Sequence, residues 1–352
     1  MIEKRVFGYS GKNEIVHIYD ITNKNNAKIS VTQASCAIVS AIMPDRCGKF
    51  ADVLLGYDEP DNYLCNWMCP GAVIGRYAGR IGASRFELNG TKYKLKKSWP
   101  GAPYTLHSGK NGFQYRIWSE YDTDAENNSV TFCMDSKDGD QGYPGNMFVK
   151  VTYTLTDNNE IRIKYEAETD ADTILNMTNH AYFNLGGHDS GTALSDMVKI
   201  YADKVLVVDK NMLPTGEIKS VKNSPLDFTE WKMVSEDFDK EQTGFSFFSG
   251  YDNCYVLGES GRMKKAAAVK NEKSGRMMEV YTDRPAMQFY TANAVEKRLK
   301  GKNGAAYAEG NALCFETQLL TDEINHDNFR KNSILRANEK FMSETIYRFS
   351  VF

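Results

Sequence analysis

The ten residues from Asn176 to Leu185, with the sequence NMTNHAYFNL, place a histidine among hydrogen-bonding side chains. If the segment is a strand, its side chains alternate between two faces. One face then carries polar groups around His180, including Tyr182, whereas the other face is mostly apolar. An imidazole in such a row can give or take a proton near neutral pH. The pattern predicts a catalytic role for His180, although a lone histidine is more often structural.

The second candidate is a glutamate within the apolar stretch ALCFETQL, residues 312–319. Alternation puts Leu313 and Phe315 on one face of a strand and Glu316 with Gln318 on the other. Burying an isolated carboxylate is costly, so Glu316 is expected either to pair with an arginine or to be catalytic. An imidazole acid and a carboxylate base together suit proton transfer to and from a substrate.

Three loop or turn segments supply further polar groups that could hold a ligand. His107 lies in LHSGKNG, Arg80 lies in GRYAGRIG, and Asp252 follows Gly250-Tyr251 at the start of a predicted strand. The glycine spacing around Arg80 is not that of a dinucleotide fingerprint, and no βαβ unit surrounds it. Each residue also has a structural interpretation, as a turn residue or an ion-pair partner. Together they favour a neutral polyhydroxylated ligand, that is, a sugar.

The composition argues against several other classes of function. The 352 residues carry a net charge of −3 with no dense basic run, so a nucleic-acid partner is not expected. No apolar run approaches the length of a membrane span, and the first residues lack an apolar signal core. The seven cysteines are scattered, which favours a reducing, cytoplasmic location over a disulfide framework. Cys65 and Cys69 form the only close pair, and no second pair completes a zinc site, so no metal is expected.

Alternation of apolar and polar residues dominates the rest of the chain and predicts the strands that must position these side chains. Residues 149–155 and 161–167 alternate on either side of Asp157-Asn158-Asn159, which predicts a β-hairpin with one buried face. A second hairpin is predicted around Asn89-Gly90, because these residues tolerate the positive φ angles of a tight turn.

These patterns predict one all-β domain spanning residues 1–352, a large antiparallel β-sandwich. Helical periodicity is scarce, and only residues 233–240 and 296–300 are expected to form short helices. Long loops in a compact domain often carry the functional site, and they are expected around residues 58–75, 96–112 and 185–195.

Taken in order, the motifs resemble those of the aldose 1-epimerase, or galactose mutarotase, family. The matching stretches are NMTNHAYFNL at 176–185, GRYAGRI at 75–81, LHSG at 106–109, GYD at 250–252, EVYTD at 279–283, QFYT at 288–291 and ETQ at 316–318. The resemblance runs from about Ile21 to Phe352, and such collinear agreement is more specific than any single motif. It implies a galactose mutarotase-like supersandwich with an open cleft that holds a sugar.

The resemblance also implies an activity and roles for individual residues. The activity is interconversion of the α and β anomers of free hexoses such as galactose and glucose, by opening and reclosing the hemiacetal ring. The family's acid falls on His180 and its base on Glu316. No metal, nucleotide or redox cofactor is implied, and a monomer or a homodimer is expected. The residues implied to hold the substrate are Arg80, His107, Asp252, Gln288 and Tyr182.

To act as the acid, His180 must carry a proton near neutral pH. The pKa of an unperturbed imidazole, about 6.5, is close to this requirement, and a neighbouring carboxylate is expected to raise it. The chain departs from the family pattern at Gly79 and Tyr104, where asparagine is common, and at Met177, which replaces a frequent proline. We expect these departures to affect sugar preference more than the chemistry.

Two alternatives remain open from the sequence. Arg76 and Lys110 lie near the motifs and could bind the phosphate of a phosphorylated or otherwise modified sugar. A non-catalytic sugar-binding protein on the same fold would bind without turnover, although recognition alone does not need an acid–base pair. A glycosidase is less well supported, because the sequence offers one candidate strand carboxylate rather than two facing ones.

Overall fold

Strands make up nearly all the secondary structure of the described residues, which in this computed structural model are 1–238, 250–329 and 332–352. Within these ranges a single helix, α1, covers Asp61–Leu64, and short 3₁₀ turns cover Phe113–Tyr115, Asp140–Gly142, Val234–Glu236, Lys302–Gly304 and Glu323–Asn325. None of the helices in these ranges is long and apolar enough to cross a membrane. The strands, in chain order, are β1 Ile2–Tyr9, β2 Ile15–Thr22, β3 Lys28–Thr32, β4 Ala37–Pro44, β5 Phe50–Asp52, β6 Val73–Ile74, β7 Arg80–Gly82, β8 Arg85–Leu88, β9 Thr91–Lys94, β10 Tyr104–Leu106, β11 Ser119–Asp124, β12 Ser129–Ser136, β13 Met147–Leu155, β14 Glu160–Thr169, β15 Thr173–Ile174, β16 Thr178–Asn179, β17 Met197–Ile200, β18 Lys204–Val208, β19 Pro214–Ser220, β20 Lys232–Met233, β21 Asp252–Val256, β22 Lys264–Asn271, β23 Arg276–Thr282, β24 Ala286–Tyr290, β25 Cys314–Gln318, β26 Ile334–Leu335 and β27 Lys340–Val351.

Antiparallel pairing organises most of these strands into three sheets. The first sheet contains β1 to β5 in chain order. The second is nine-stranded, with the order β11-β12-β13-β14-β27-β23-β22-β17-β20. The third, which we call the site sheet, is five-stranded, with the order β19-β18-β21-β24-β25. The predicted all-β fold class is confirmed.

Both predicted hairpins are present. β13 pairs with β14 from Met147 opposite Thr169 to Leu155 opposite Ile161. Buried residues alternate with half-buried or exposed ones along β13 and, from Ile161 onward, along β14, as the apolar–polar pattern requires. Asn89 and Gly90 have φ angles of 52° and 78°, which are the positive values needed by the tight turn between β8 and β9.

The main core lies between the nine-stranded sheet and the other two sheets. The inward side chains of β13 and β14 belong to the same buried cluster as Tyr255, Phe289 and Phe315 of the site sheet. Burial of each such aromatic side chain stabilises the fold by about 2–3 kcal/mol. Because residues alternate along a strand, the odd-numbered residues of β21, β24 and β25 face this core. The even-numbered residues, among them Glu316, therefore face the opposite side.

The two predicted helices do not form within the described residues. Lys232–Met233 is strand β20 and Val234–Glu236 is a 3₁₀ turn, while residues 239–240 lie outside the described ranges. Residues 296–300 form a turn instead of a helix. The Glu296 carboxylate accepts hydrogen bonds from the backbone and the guanidinium of Arg298. Such local side-chain bonds compete with helix formation.

The three predicted loops differ in what they contribute. The stretch 58–75 contains α1 and β6, and the stretch 96–112 contains β10. Residues 185–195, all of which are described, contain neither a helix nor a strand. Only the first two stretches supply side chains to the cleft described next.

Candidate active site

A polar cleft opens on the even-numbered face of the site sheet. It has a volume of about 690 Å³, including space open to solvent. The structure brings all seven side chains predicted for the site into its lining: Arg80, His107, His180, Tyr182, Asp252, Gln288 and Glu316.

Neighbouring strands of the site sheet position the carboxylate side of the cleft. On the ladder between β24 and β25, Gln288 lies directly opposite Glu316, so their side chains project next to each other. Asp252, the first residue of β21, is on the same face. The Gln288 Nε2 atom donates a hydrogen bond of 2.5 Å to Asp252 Oδ1. Backbone register thus fixes the spacing of these three groups.

Arg80, on the strand pair β7-β10, adds an ion pair to these side chains. Its Nη2 atom lies 3.3 Å from Asp252 Oδ2. The guanidinium carbon is 5.4 Å from the ring centroid of Tyr104, a cation–π arrangement. Trp99 packs edge-on against Tyr104, with the ring centroids 5.4 Å apart. Tyr104, which differs from the asparagine common in the family pattern, therefore influences the cleft through its contact with Arg80.

The segment that carries His180 is not the continuous strand that its pattern predicts. Only Thr178–Asn179 forms a strand, β16, paired with β6, while Asn176 and Phe183 make isolated bridges. Asn176 Nδ2 donates to the backbone carbonyl of Ala78 at 3.1 Å. Asn184 Nδ2 donates to the backbone carbonyl of Asn311 at 2.9 Å. Side-chain amides thus take over bonds that a regular ladder would make.

The alternation of the two faces nevertheless holds along this segment. The apolar side chains point into the main core, namely Met177, Ala181, Phe183 and Leu185. His180 and Tyr182 face the cleft, with their rings nearly parallel at an interplanar angle of 17° and a centroid distance of 5.0 Å. The Tyr182 hydroxyl donates to the backbone oxygen of Met68 at 3.0 Å. This stack orients the imidazole, whose Nε2 atom lies 3.6 Å from Glu316 Oε1.

His107 adopts a backbone conformation that is unusual for a residue with a side chain. Its φ angle is 49°, and such left-handed residues often occur at functional sites. The backbone amide of His107 donates to the carbonyl of Gly79 at 3.0 Å, and Gln114 Nε2 donates to the backbone carbonyl of His107 at 2.7 Å. The Gly79 amide in turn donates to His107 Nδ1 at 3.1 Å. Because Nδ1 accepts this bond, the neutral ring carries its proton on Nε2 and offers an N–H donor to a ligand.

Burial controls the ionisation of the central pair. Desolvation lowers the pKa of His180 to about 4, although its own backbone and Asp252 oppose the shift. Desolvation raises the pKa of Glu316 to about 8, with a further contribution from Asp252 and an opposing one from Arg80. A nearby carboxylate, Asp252, does raise the pKa of His180, but the expectation that this pKa stays near or above 6.5 is wrong, because burial outweighs the attraction. Between these two pKa values the pair holds one proton, which rests on Glu316.

By distance alone, His107, His180 and Glu316 could hold a metal ion, because one donor atom of each lies within 4.8 Å of the others. A metal-bound histidine normally donates its second ring N–H to an acceptor. Here the Gly79 amide donates to His107 Nδ1, so the available Nε2 carries the proton. This hydrogen bond fits a role in binding hydroxyl groups better than a role in binding a metal.

Six lining residues were not predicted for the site: Trp67, Met68, Leu106, Tyr290, Gln318 and Thr321. Strand alternation could have found Tyr290 and Gln318, since they share a face with Gln288 and Glu316. Trp67 and Met68 lie in a loop, where the sequence has no period that indicates direction. Gly79 also lines the cleft, and a Cβ atom there would lie 3.3 Å from both Cγ2 and Oγ1 of Thr321. An asparagine at position 79 would therefore require Thr321 to move.

The alternative of a phosphorylated sugar is not favoured. Arg76 is buried, and its guanidinium donates to the backbone carbonyls of residues 136, 137, 144 and 145. Lys110 is exposed and does not line the cleft. Within the described lining, Arg80 is the only lysine or arginine, and Asp252 already neutralises it. A phosphate group would find no free cation there.

Comparison with known proteins gives a consistent result. The family model for aldose 1-epimerase matches residues 17–348. A galactose mutarotase from Mus musculus is 38% identical over 326 residues, covering 92% of this chain and 91% of the relative. An aldose 1-epimerase from Escherichia coli K12 is 36% identical over 335 residues, covering 94% of each chain.

Solved structures agree at the level of the fold. An aldose epimerase homologue from C. elegans superposes with a TM-score of 0.86 at 30% identity, covering 94% of this chain and 98% of that one. A galactose 1-epimerase from Lactobacillus acidophilus superposes with a TM-score of 0.85 at 22% identity, covering 100% of this chain and 99% of that one.

Proposed function

The chain belongs to the aldose 1-epimerase family, and from this premise we propose that it interconverts the α and β anomers of free hexoses such as galactose and glucose. It is then an isomerase that accelerates mutarotation. One observation carries the proposal: an imidazole and a carboxyl group lie 3.6 Å apart in a cleft lined with hydroxyl-binding side chains. A site that only recognised a sugar would have no need of this pair, so a purely sugar-binding protein is less well supported.

In the proposed reaction the shared proton first moves from Glu316 to His180 Nε2, which lies 3.6 Å away. Two coupled proton transfers follow: the ionised Glu316 takes the proton of the C1 hydroxyl while His180 Nε2 gives its proton to the ring oxygen. The C1–O5 bond breaks, and C1 becomes the aldehyde of the open chain. Rotation about C1–C2 presents the other face of the carbonyl, and reclosure with the proton transfers reversed gives the other anomer. A positioned acid and a positioned base each contribute typically about 10²–10⁴ in rate.

In the free cleft, His180 and Glu316 have the protonation states that they reach after the sugar ring has opened. After ring opening, Glu316 holds the proton and His180 is neutral. The same arrangement follows from the raised pKa of Glu316 and the lowered pKa of His180 in the free cleft. The environment of the pair therefore favours the state that accompanies the open-chain aldehyde. Since reclosure restores the starting arrangement, no proton needs to leave the cleft during turnover.

The remaining polar residues are proposed to hold the sugar. Arg80 and Asp252 form an ion pair that can bind neighbouring hydroxyls from both sides, and Gln288 orients the carboxylate of Asp252. His107 supplies an N–H donor. Tyr182 acts indirectly, by stacking on the imidazole of the acid. The proposed chemistry consists of proton transfers alone and requires no cofactor.

Polarimetry tests this proposal. The rotation of freshly dissolved α-D-galactose and α-D-glucose should decay to the same endpoint faster with the protein than without it. Acceleration of glucose 6-phosphate mutarotation with no effect on free hexoses would support the phosphorylated-sugar alternative. Saturable sugar binding without any acceleration would support a binding protein and contradict the proposal.

We also propose that residues 1–352 fold as one domain that works in the cytoplasm, as a monomer or a homodimer, without a nucleic-acid or membrane partner. All seven cysteines are free thiols, which suits a reducing compartment. Analytical ultracentrifugation distinguishes the two assembly states. A single cooperative unfolding transition is expected for one domain.

A further inference from the structure

Trp67 lies at the mouth of the cleft and has no part in the proton transfers. It belongs to the lining, yet its side chain is 50% exposed. Tryptophan is enriched at interfaces because it combines a large apolar ring with one N–H donor. Trp67 comes from the loop between α1 and β6, whereas Glu316 and Asp252 are carried by strands of the site sheet.

The indole is held in place by its neighbours. Its Nε1 atom donates to Glu296 Oε2 at 3.2 Å, and Arg298 binds both oxygens of that carboxylate. The next residue, Met68, accepts the Tyr182 hydroxyl through its backbone oxygen. Because the only polar group of the indole is already bonded, the side chain can offer a ligand only its apolar ring.

The lining of the cleft therefore has chemically different parts. Besides Tyr290, the site sheet presents two carboxylates and the amides of Gln288 and Gln318, which bind hydroxyl groups. Trp67 presents an aromatic surface, which suits carbon-bound hydrogens. A pyranose ring has the same division, with hydroxyls around its edge and C–H groups on its faces.

We propose that Trp67 is a sugar-binding residue whose indole packs against the C–H face of the pyranose and favours D-galactose over D-glucose. This proposal rests on the proposed function, because it assigns the sugar preference of the same cleft. In D-galactose the axial C4 hydroxyl leaves the hydrogens of C3, C4 and C5 as one continuous apolar patch on the opposite face. In D-glucose the C4 hydrogen lies on the other face from those of C3 and C5, so the patch is interrupted.

Tryptophan fluorescence tests the contact directly. The chain has four tryptophans, Trp67, Trp99, Trp118 and Trp231, of which Trp118 is buried. Saturating galactose should change the emission of the wild-type protein, and Trp67→Phe should remove that change. Trp231→Phe, an exposed position outside the cleft lining, should retain it. An unaltered galactose response in Trp67→Phe would overturn the contact.

Kinetics test the preference. Trp67→Ala should lower kcat/KM for galactose by about tenfold, the upper range for an aromatic contact, and for glucose by about threefold or less. Trp67→Phe keeps a ring and should retain most of the activity, which guards against a folding defect in the alanine variant. Equal losses for the two sugars would overturn the preference. If the wild-type protein accelerates neither sugar, the proposed function fails, but the fluorescence comparison still decides whether Trp67 contacts the sugar.

Discussion

Replacing Glu316 with glutamine should make the protein more stable at alkaline pH while removing most of its activity. In the folded protein the pKa of Glu316 is raised to about 8 from an ordinary value of 4.5. The folded state therefore binds more protons at this site than the unfolded chain, and stability is lost as the pH rises between these values. At pH 8 the ionisation of Glu316 lowers the free energy of unfolding by about 4 kcal/mol, whereas at pH 5 it lowers it by less than about 1 kcal/mol.

Glutamine has nearly the same shape and does not ionise, so the variant avoids this loss. With an unfolding entropy of roughly 2.1 cal/mol/K for each residue of a 352-residue chain, 4 kcal/mol corresponds to a rise in Tm of about 5 °C. We expect this difference from the wild-type protein at pH 8 and a difference near zero at pH 5. Differential scanning calorimetry at the two pH values provides the measurement.

Glu3→Gln, at an exposed position on β1, is the matched control, because it removes a carboxylate at the surface and should leave Tm nearly unchanged at both pH values. If the Tm of Glu316→Gln follows the pH in parallel with that of the wild-type protein, Glu316 does not ionise with a raised pKa. The account of the central pair would then be wrong, whatever the effect on activity.

Four further predictions follow from the same structure. His180→Asn should lower kcat by about 10²–10⁴ with little change in KM, because it removes the acid; near-wild-type turnover in steady-state assays would exclude His180 from the mechanism. Asp252→Ala should raise KM more than His180→Asn does, since Arg80 and Gln288 lose their shared partner, and equal KM values would contradict this division of roles. The value of kcat/KM should fall above about pH 8, where the His180–Glu316 pair loses its single proton. It should stay level down to about pH 4, where the pair gains a second proton. A value of kcat/KM that still rises above pH 9 would refute the one-proton pair. Arg76→Met should lower stability by at least about 3 kcal/mol in urea denaturation, because four backbone carbonyls, three of them in buried contacts, lose a charged donor. An unchanged midpoint would mean that those bonds are dispensable.

Local patterns predicted the fold well where one face of a strand is buried and the other faces solvent. The alternation along 149–155 and 161–167 corresponds to β13 and β14 in the structure, and Asn89-Gly90 forms the expected turn. The segment 176–185 was harder to predict, because side-chain amides replace regular ladder bonds and the strand shrinks to two residues. The short helix expected at 296–300 fails for a similar reason, since the Glu296 carboxylate binds locally.

The residues of the site were easier to predict than their chemistry. Motifs identified seven side chains that the structure gathers into one cleft. The pKa of His180 could not be predicted, because it depends on how completely residues distant in sequence exclude water from it. Trp67 was missed for a related reason: a loop has no periodicity, so only the folded chain reveals that this side chain borders the cleft.

The most direct test of the central claim is magnetisation transfer between the α and β anomeric protons of galactose at equilibrium, measured by ¹H NMR with catalytic amounts of protein. The wild-type protein should exchange the two signals at a rate proportional to its concentration. Glu316→Gln and His180→Asn should each lower that rate by at least about a hundredfold. Exchange at the wild-type rate in either variant, or no exchange with the wild-type protein, would contradict ring opening by this acid–base pair.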